Sequence, residues 1–62
     1  MFKDAFNKLI EERETNIFQV SKETKIPVSS MYDWSHGRTK PKFDAIVKIA
    51  KYFKVPIEYF AE

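Results

Sequence analysis

Arg38, Lys40 and Lys42 follow the only glycine of a 62-residue chain, Gly37, at alternate positions. The only histidine, His36, and the only tryptophan, Trp34, stand just before that glycine in the stretch "WSHGRTKPK". Guanidinium, ammonium and imidazole groups gathered in this way supply hydrogen-bond donors and positive charge, the chemistry that meets an anionic surface. The wider chain repeats the bias. Residues 25–54 carry seven cations (Lys25, Arg38, Lys40, Lys42, Lys48, Lys51, Lys54) against two anions (Asp33, Asp44), so this segment is +5 in a chain whose net charge is +2. Residues 1–24 carry four cations against five anions, and residues 55–62 carry two anions alone. Such asymmetry points to a polyanion-facing surface, and the plainer alternative is a solvated lysine-rich face.

Other chemistries find little material. With no cysteine there is no disulfide framework and no Cys/His set for a structural zinc. One histidine, and carboxylates gathered mostly in "EERE" and the final "AE", suggest no nucleophile with its base. The chain is expected to be neither an enzyme nor a metal or cofactor binder.

The elements that hold the cations follow from punctuation and periodicity. Residues 1–62 are expected to form one domain, small enough that its stability is marginal, with ten aromatic residues supplying the core. No apolar run reaches the ~18 residues of a membrane span. The N-terminal "MFKDAFNKL" carries charges where a signal peptide is apolar, so a cytoplasmic location is expected. Phe2, Phe6, Leu9 and Ile10 fall at helical spacing and predict a first helix over roughly residues 2–13. Asn16 followed by Gln19 resembles a capping box, which starts a second helix at Ile17 with Val20, Ser21 and Thr24 inward. Pro27 opens a third helix and Gly37 ends it. Phe43, Ile46, Ile49, Ala50 and Phe53 mark the inward face of a fourth, and Pro56 opens a short fifth carrying Ile57 and Phe60. The expected class is all-α, a compact bundle of five short helices.

Only "KIP" separates the second and third helices, and so tight a connection makes them a helix-turn-helix. At ~100° per residue, with Val28 at zero, Met31 and Trp34 lie at about 300° and 240° on the third helix. Val28, Ser29, Tyr32, Asp33 and His36 lie between zero and about 140°. One face is therefore core, and the other carries hydrogen-bonding groups.

From Asn16 to Phe60 the chain resembles the lambda-repressor-like helix-turn-helix domains of phage repressors, Cro proteins and related bacterial regulators. The resemblance rests on "NIFQVSKETKIPVSSMYDWSHGRTKPKFDAIVKIAKYFKVPIEYF". Val20 and Ser21 stand where the family has a Leu-Ala pair, Ile26 lies in the turn, Met31 and Trp34 lie inside the third helix, and Gly37 is followed by Pro41. Three departures from the family involve four positions. Lys25 replaces a common turn glycine and must either accept the left-handed conformation or shift the turn. Ile10 and Ser35 replace both members of an Arg-Glu pair, a joint change that leaves no buried charge stranded. Ile17 replaces a glutamine that touches DNA in some members, so that contact does not carry over.

The resemblance implies that the third helix enters the major groove of duplex DNA. Val28, Ser29, Tyr32 and Asp33 are then the candidate base-reading residues: serine and aspartate through hydrogen bonds, valine and the tyrosine ring against a thymine methyl. Asn16, His36, Arg38, Lys40 and Lys42 are the candidate phosphate contacts. Trp34 is read as core rather than as a stacking platform. The implied function is a repressor-type or Cro-like transcriptional regulator, phage or bacterial, binding as a homodimer to a palindromic operator with no membrane involved. The alternative is a protein-interaction module or antitoxin-like regulator on the same fold, using aromatic surface that the last helix, with Ile57, Tyr59 and Phe60, would leave exposed.

Overall fold

Phe6 and Leu9 are buried almost completely, with Phe2, Ala5 and Ile10 packed around them, and this stripe makes residues Phe2–Glu12 an amphipathic helix, α1. The computed structural model describes residues 2–60. Three further α-helices follow: α2 (Ile17–Thr24), α3 (Val28–Ser35) and α4 (Phe43–Phe53). They enclose a single core in which Phe6, Leu9, Val20, Met31, Ile49 and Phe53 are the largest fully buried side chains. No described residue hides a side-chain polar atom without a hydrogen-bond partner.

The expected fifth helix is not an α-helix, so the bundle has four α-helices rather than five. Ile57–Phe60 form a single 3-10 turn, closed by the Tyr59 N–H donating to the Pro56 carbonyl at 2.9 Å, a bond from i+3 to i. This tight turn delivers Phe60 to the core, its ring centroid 5.0 Å from that of Phe2, while Ile57 and Tyr59 remain partly exposed.

Helix boundaries follow local chemistry. Asn16 adopts an extended conformation and its Oδ1 accepts from the Gln19 N–H at 2.8 Å, the N-cap expected at the start of α2. The reciprocal half of a capping box is absent, because the Gln19 side chain donates to Glu23 instead. Helix α2 ends at Lys25 with φ 62°, and its N–H donates to the Ser21 carbonyl at 2.8 Å. Lysine thus accepts the left-handed conformation that the family usually gives to glycine. The Ser21 hydroxyl donates to the Ile26 carbonyl, which ties the end of α2 to the turn before α3. One inward assignment in α4 differs: Phe43 is 65% exposed, because it is the first residue of the helix and lies beyond the edge of the core, which α4 first meets at Ala45 and Ile46.

The missing Arg-Glu pair is replaced by other ties. The Asn7 amide on α1 donates to the Ser35 carbonyl at the end of α3, at 3.0 Å. Arg13, just past α1, donates to the Phe53 carbonyl at 2.9 Å, with its guanidinium carbon 5.8 Å from the Phe53 ring centroid. Both bonds hold α1 across the bundle without burying a charge.

Candidate nucleic-acid interface

Helix α3 is anchored by Met31, fully buried, and by Trp34, 8% exposed with its ring edge-on to Phe2 at 6.1 Å. Anchoring those two positions turns the opposite side of the helix outward. Ser29, Tyr32 and His36 are exposed, and Val28 and Asp33 are half-buried at the margins of the same face. From Ser29 to His36 the helix rises about 10 Å, a length that a major groove about 12 Å wide accommodates. The Tyr32 and His36 rings, one turn apart, meet edge to face with centroids 4.5 Å apart. The expected faces of α3 and the observed burial therefore follow the same geometry.

The end of α3 positions the basic loop. Gly37 has φ 76°, its N–H donates to the Trp34 carbonyl at 3.1 Å, and the Arg38 N–H donates to the Asp33 carbonyl at 2.9 Å. This pair of bonds is the Schellman motif, which reverses the chain direction at the helix end and satisfies carbonyls left open there. Beyond it Arg38, Lys40 and Lys42 are all exposed, and Lys42 leads directly into α4. Arg38 also approaches Asp33, Nη1 to Oδ1 3.5 Å, with the arginine side chain largely solvated and the aspartate partly so. An exposed pair at that length is weak and leaves the guanidinium available to a stronger anion. The Lys48, Lys51 and Lys54 side chains are exposed on α4 and its cap.

At the other end of the motif Asn16 is exposed. Its amide oxygen is occupied by the cap, which leaves the NH2 as the half of the side chain able to donate to a phosphate. The structure thus leaves Asn16 exposed at the start of α2, Ser29, Tyr32 and His36 exposed on the outer face of α3, and Arg38, Lys40 and Lys42 exposed in the loop that continues from α3 behind Gly37. Two groups near it were not found from sequence. Phe18, in the first turn of α2, is 72% exposed, and Lys3 on α1 lies against Gly37, with its Cδ 3.1 Å from where a Cβ on that residue would stand. A helical wheel of α1 places Lys3 and Asn7 on one edge, but which element that edge meets depends on packing. Among the described residues no group of three or more His, Asp or Glu side chains is arranged to hold a metal ion, and no helix is long and apolar enough to cross a membrane.

No curated protein and no solved structure matches the chain. A family does: the one described as the Cro/C1-type HTH DNA-binding domain matches residues 5–60, taking in most of α1, the three helices that follow and the final turn. With that match covering most of its length, and with a helix-turn-helix whose exposed face runs into a basic loop, the chain belongs to the Cro/C1-type helix-turn-helix DNA-binding domains.

Proposed function

We propose that the chain is a sequence-specific transcriptional regulator that binds duplex DNA as two copies on a palindromic operator, with α3 in the major groove. It acts at the nucleoid, in the cytoplasm of a bacterium, as a phage-type repressor or Cro-like protein. The observation that carries this reading is the continuity of the exposed α3 face with the cations that follow Gly37. Ser29 and Asp33 are assigned to base edges through hydrogen bonds, and Val28 and Tyr32 to thymine methyl groups. Arg38, Lys40, Lys42, His36 and Asn16 are assigned to phosphates, which fix register without reading sequence.

The backbone extends 25 Å along its longest axis, whereas half-sites on one face of the duplex repeat about every 34 Å. One copy is therefore small enough to occupy each half-site.

Selection of bound duplexes from a random pool tests the reading. A two-fold symmetric motif with half-sites about one helical turn apart is expected. Ser29→Ala should relax preference at one base pair by about 1–3 kcal/mol while leaving the melting temperature unchanged. Recovery of no enriched motif would instead favour the interaction-module reading, for which the partial exposure of Ile57 and Tyr59 on the last turn is the supporting observation.

A further inference from the structure

We infer that Lys3, far from the helix-turn-helix in sequence, is a further cation of the phosphate-contacting surface, placed there by the bare Cα of Gly37. This rests on the proposed DNA reading of α3 and its loop. A Cβ on residue 37 would stand 3.1 Å from Lys3 Cδ and 3.9 Å from Lys3 Nζ, so the lysine stem crosses the glycine at the point where the basic loop begins. Lys3 and Lys40 border one hollow beside Gly37, with Trp34 and Phe60 in its wall.

The placement is fixed by a neighbour. Asn7, one turn further along α1 on the same edge, donates to the Ser35 carbonyl at 3.0 Å, so this edge of α1 runs beside the last turn of α3. Lys3 remains exposed there. Helix stability does not explain the residue, because a cation in the first turn of a helix is opposed by the macrodipole. A Cβ at residue 37 would press on this stem, which would have to yield by a few tenths of an ångström, so the approach of α1 adds to the reason for glycine that the positive φ already supplies.

The test measures binding of a fluorescein-labelled random-sequence duplex across a range of salt concentrations. Lys3→Gln should lower the slope of log affinity against log salt by about 0.9. Lys3→Arg, which keeps the charge, and Lys8→Gln, on the opposite side of α1, should leave the slope at its wild-type value. A wild-type slope in Lys3→Gln overturns the inference and leaves the DNA reading standing, whereas wild-type protein that binds no duplex overturns both.

A second measurement needs no variant. Acetic anhydride labelling of the wild-type chain with and without the duplex, read by mass spectrometry, should show Lys3 protected together with Lys40 and Lys42 while Lys8 is labelled equally in both. Equal labelling of Lys3 with and without DNA overturns the inference even if Lys3→Gln fails to fold.

Discussion

Helices α2 and α3 both end in a left-handed residue, but α2 ends through Lys25 at φ 62° and α3 through Gly37 at φ 76°. Glu14 at φ 52° and Lys54 at φ 59° follow the pattern of Lys25. These three values fall within the narrow left-handed region open to residues with a side chain, roughly 50–70°, and Gly37 lies beyond it. A reversal of the chain therefore does not by itself require glycine in this protein. Glycine stands where the backbone turns further and where α1 also crosses, with Lys3 Cδ 3.1 Å from the missing Cβ. The two ends also differ in what holds them: after α2 one backbone bond, from the Lys25 N–H to the Ser21 carbonyl, is joined by the local Ser21 hydroxyl on the Ile26 carbonyl, whereas after α3 the backbone N–H groups of Gly37 and Arg38 are joined by the Asn7 side chain arriving from α1 on the Ser35 carbonyl.

Substitutions at these two ends should have opposite signs. Gly37→Val is expected to have the largest effect, a loss of about 2 kcal/mol, because a β-branched side chain meets both an unfavourable φ and the Lys3 stem. Its melting temperature, followed by circular dichroism, should fall by roughly 8–16 °C. Binding to every DNA sequence should weaken together, since the loop loses its position. Lys25→Gly should move the other way, gaining about 1 kcal/mol by relieving the left-handed lysine and raising the melting temperature by roughly 4–8 °C. A Lys25→Gly protein that melts below wild type would break the comparison, by showing that the lysine stem supplies more than the strain removes.

Ser21→Ala sharpens the comparison from the side-chain end. Removing the hydroxyl leaves the carbonyl of buried Ile26 without its donor, a loss of about 1 kcal/mol. Urea unfolding should show the lowered midpoint with an unchanged m-value, the sign that the native contact and not the denatured state has altered. Arg38→Gln is the smallest change in stability, within a few tenths of a kcal/mol, because its pair with Asp33 is 3.5 Å long and its side chain 66% exposed. The salt slope for DNA should nevertheless drop by about 0.9. If that substitution alters melting and leaves the slope intact, Arg38 is a cap of α3 and not a phosphate contact.

Much of this architecture was written locally. Asn16 caps α2, Pro27 precedes α3 and Gly37 ends it, as side-chain and backbone chemistry at those positions dictates. The outward face of α3 was legible for the same reason: Met31 and Trp34 fix the helix by their apolar bulk, and helical spacing then assigns Ser29, Tyr32 and His36 to the other side. The last element was misread because Pro56, Ile57 and Phe60 suit an α-helix or a 3-10 turn equally, and the i+3 bond from Tyr59 to Pro56 distinguishes them. Phe43 was placed inward by periodicity, which reports the face of a helix and not where along its length the core stops.

The sequence by itself determined where α1 to α4 lie, the Asn16 cap of α2, the end of α3 at Gly37, the tight turn between α2 and α3, and the run of cations behind Gly37, because each depends on residues within a few positions of one another. Only the tertiary structure decided that α1 lies along the end of α3, with Asn7 bonded to Ser35 and Lys3 across Gly37. It likewise decided that Phe60 closes the core against Phe2. Those contacts join residues distant in the chain. They are chosen by how buried surfaces fit together, which no local pattern records.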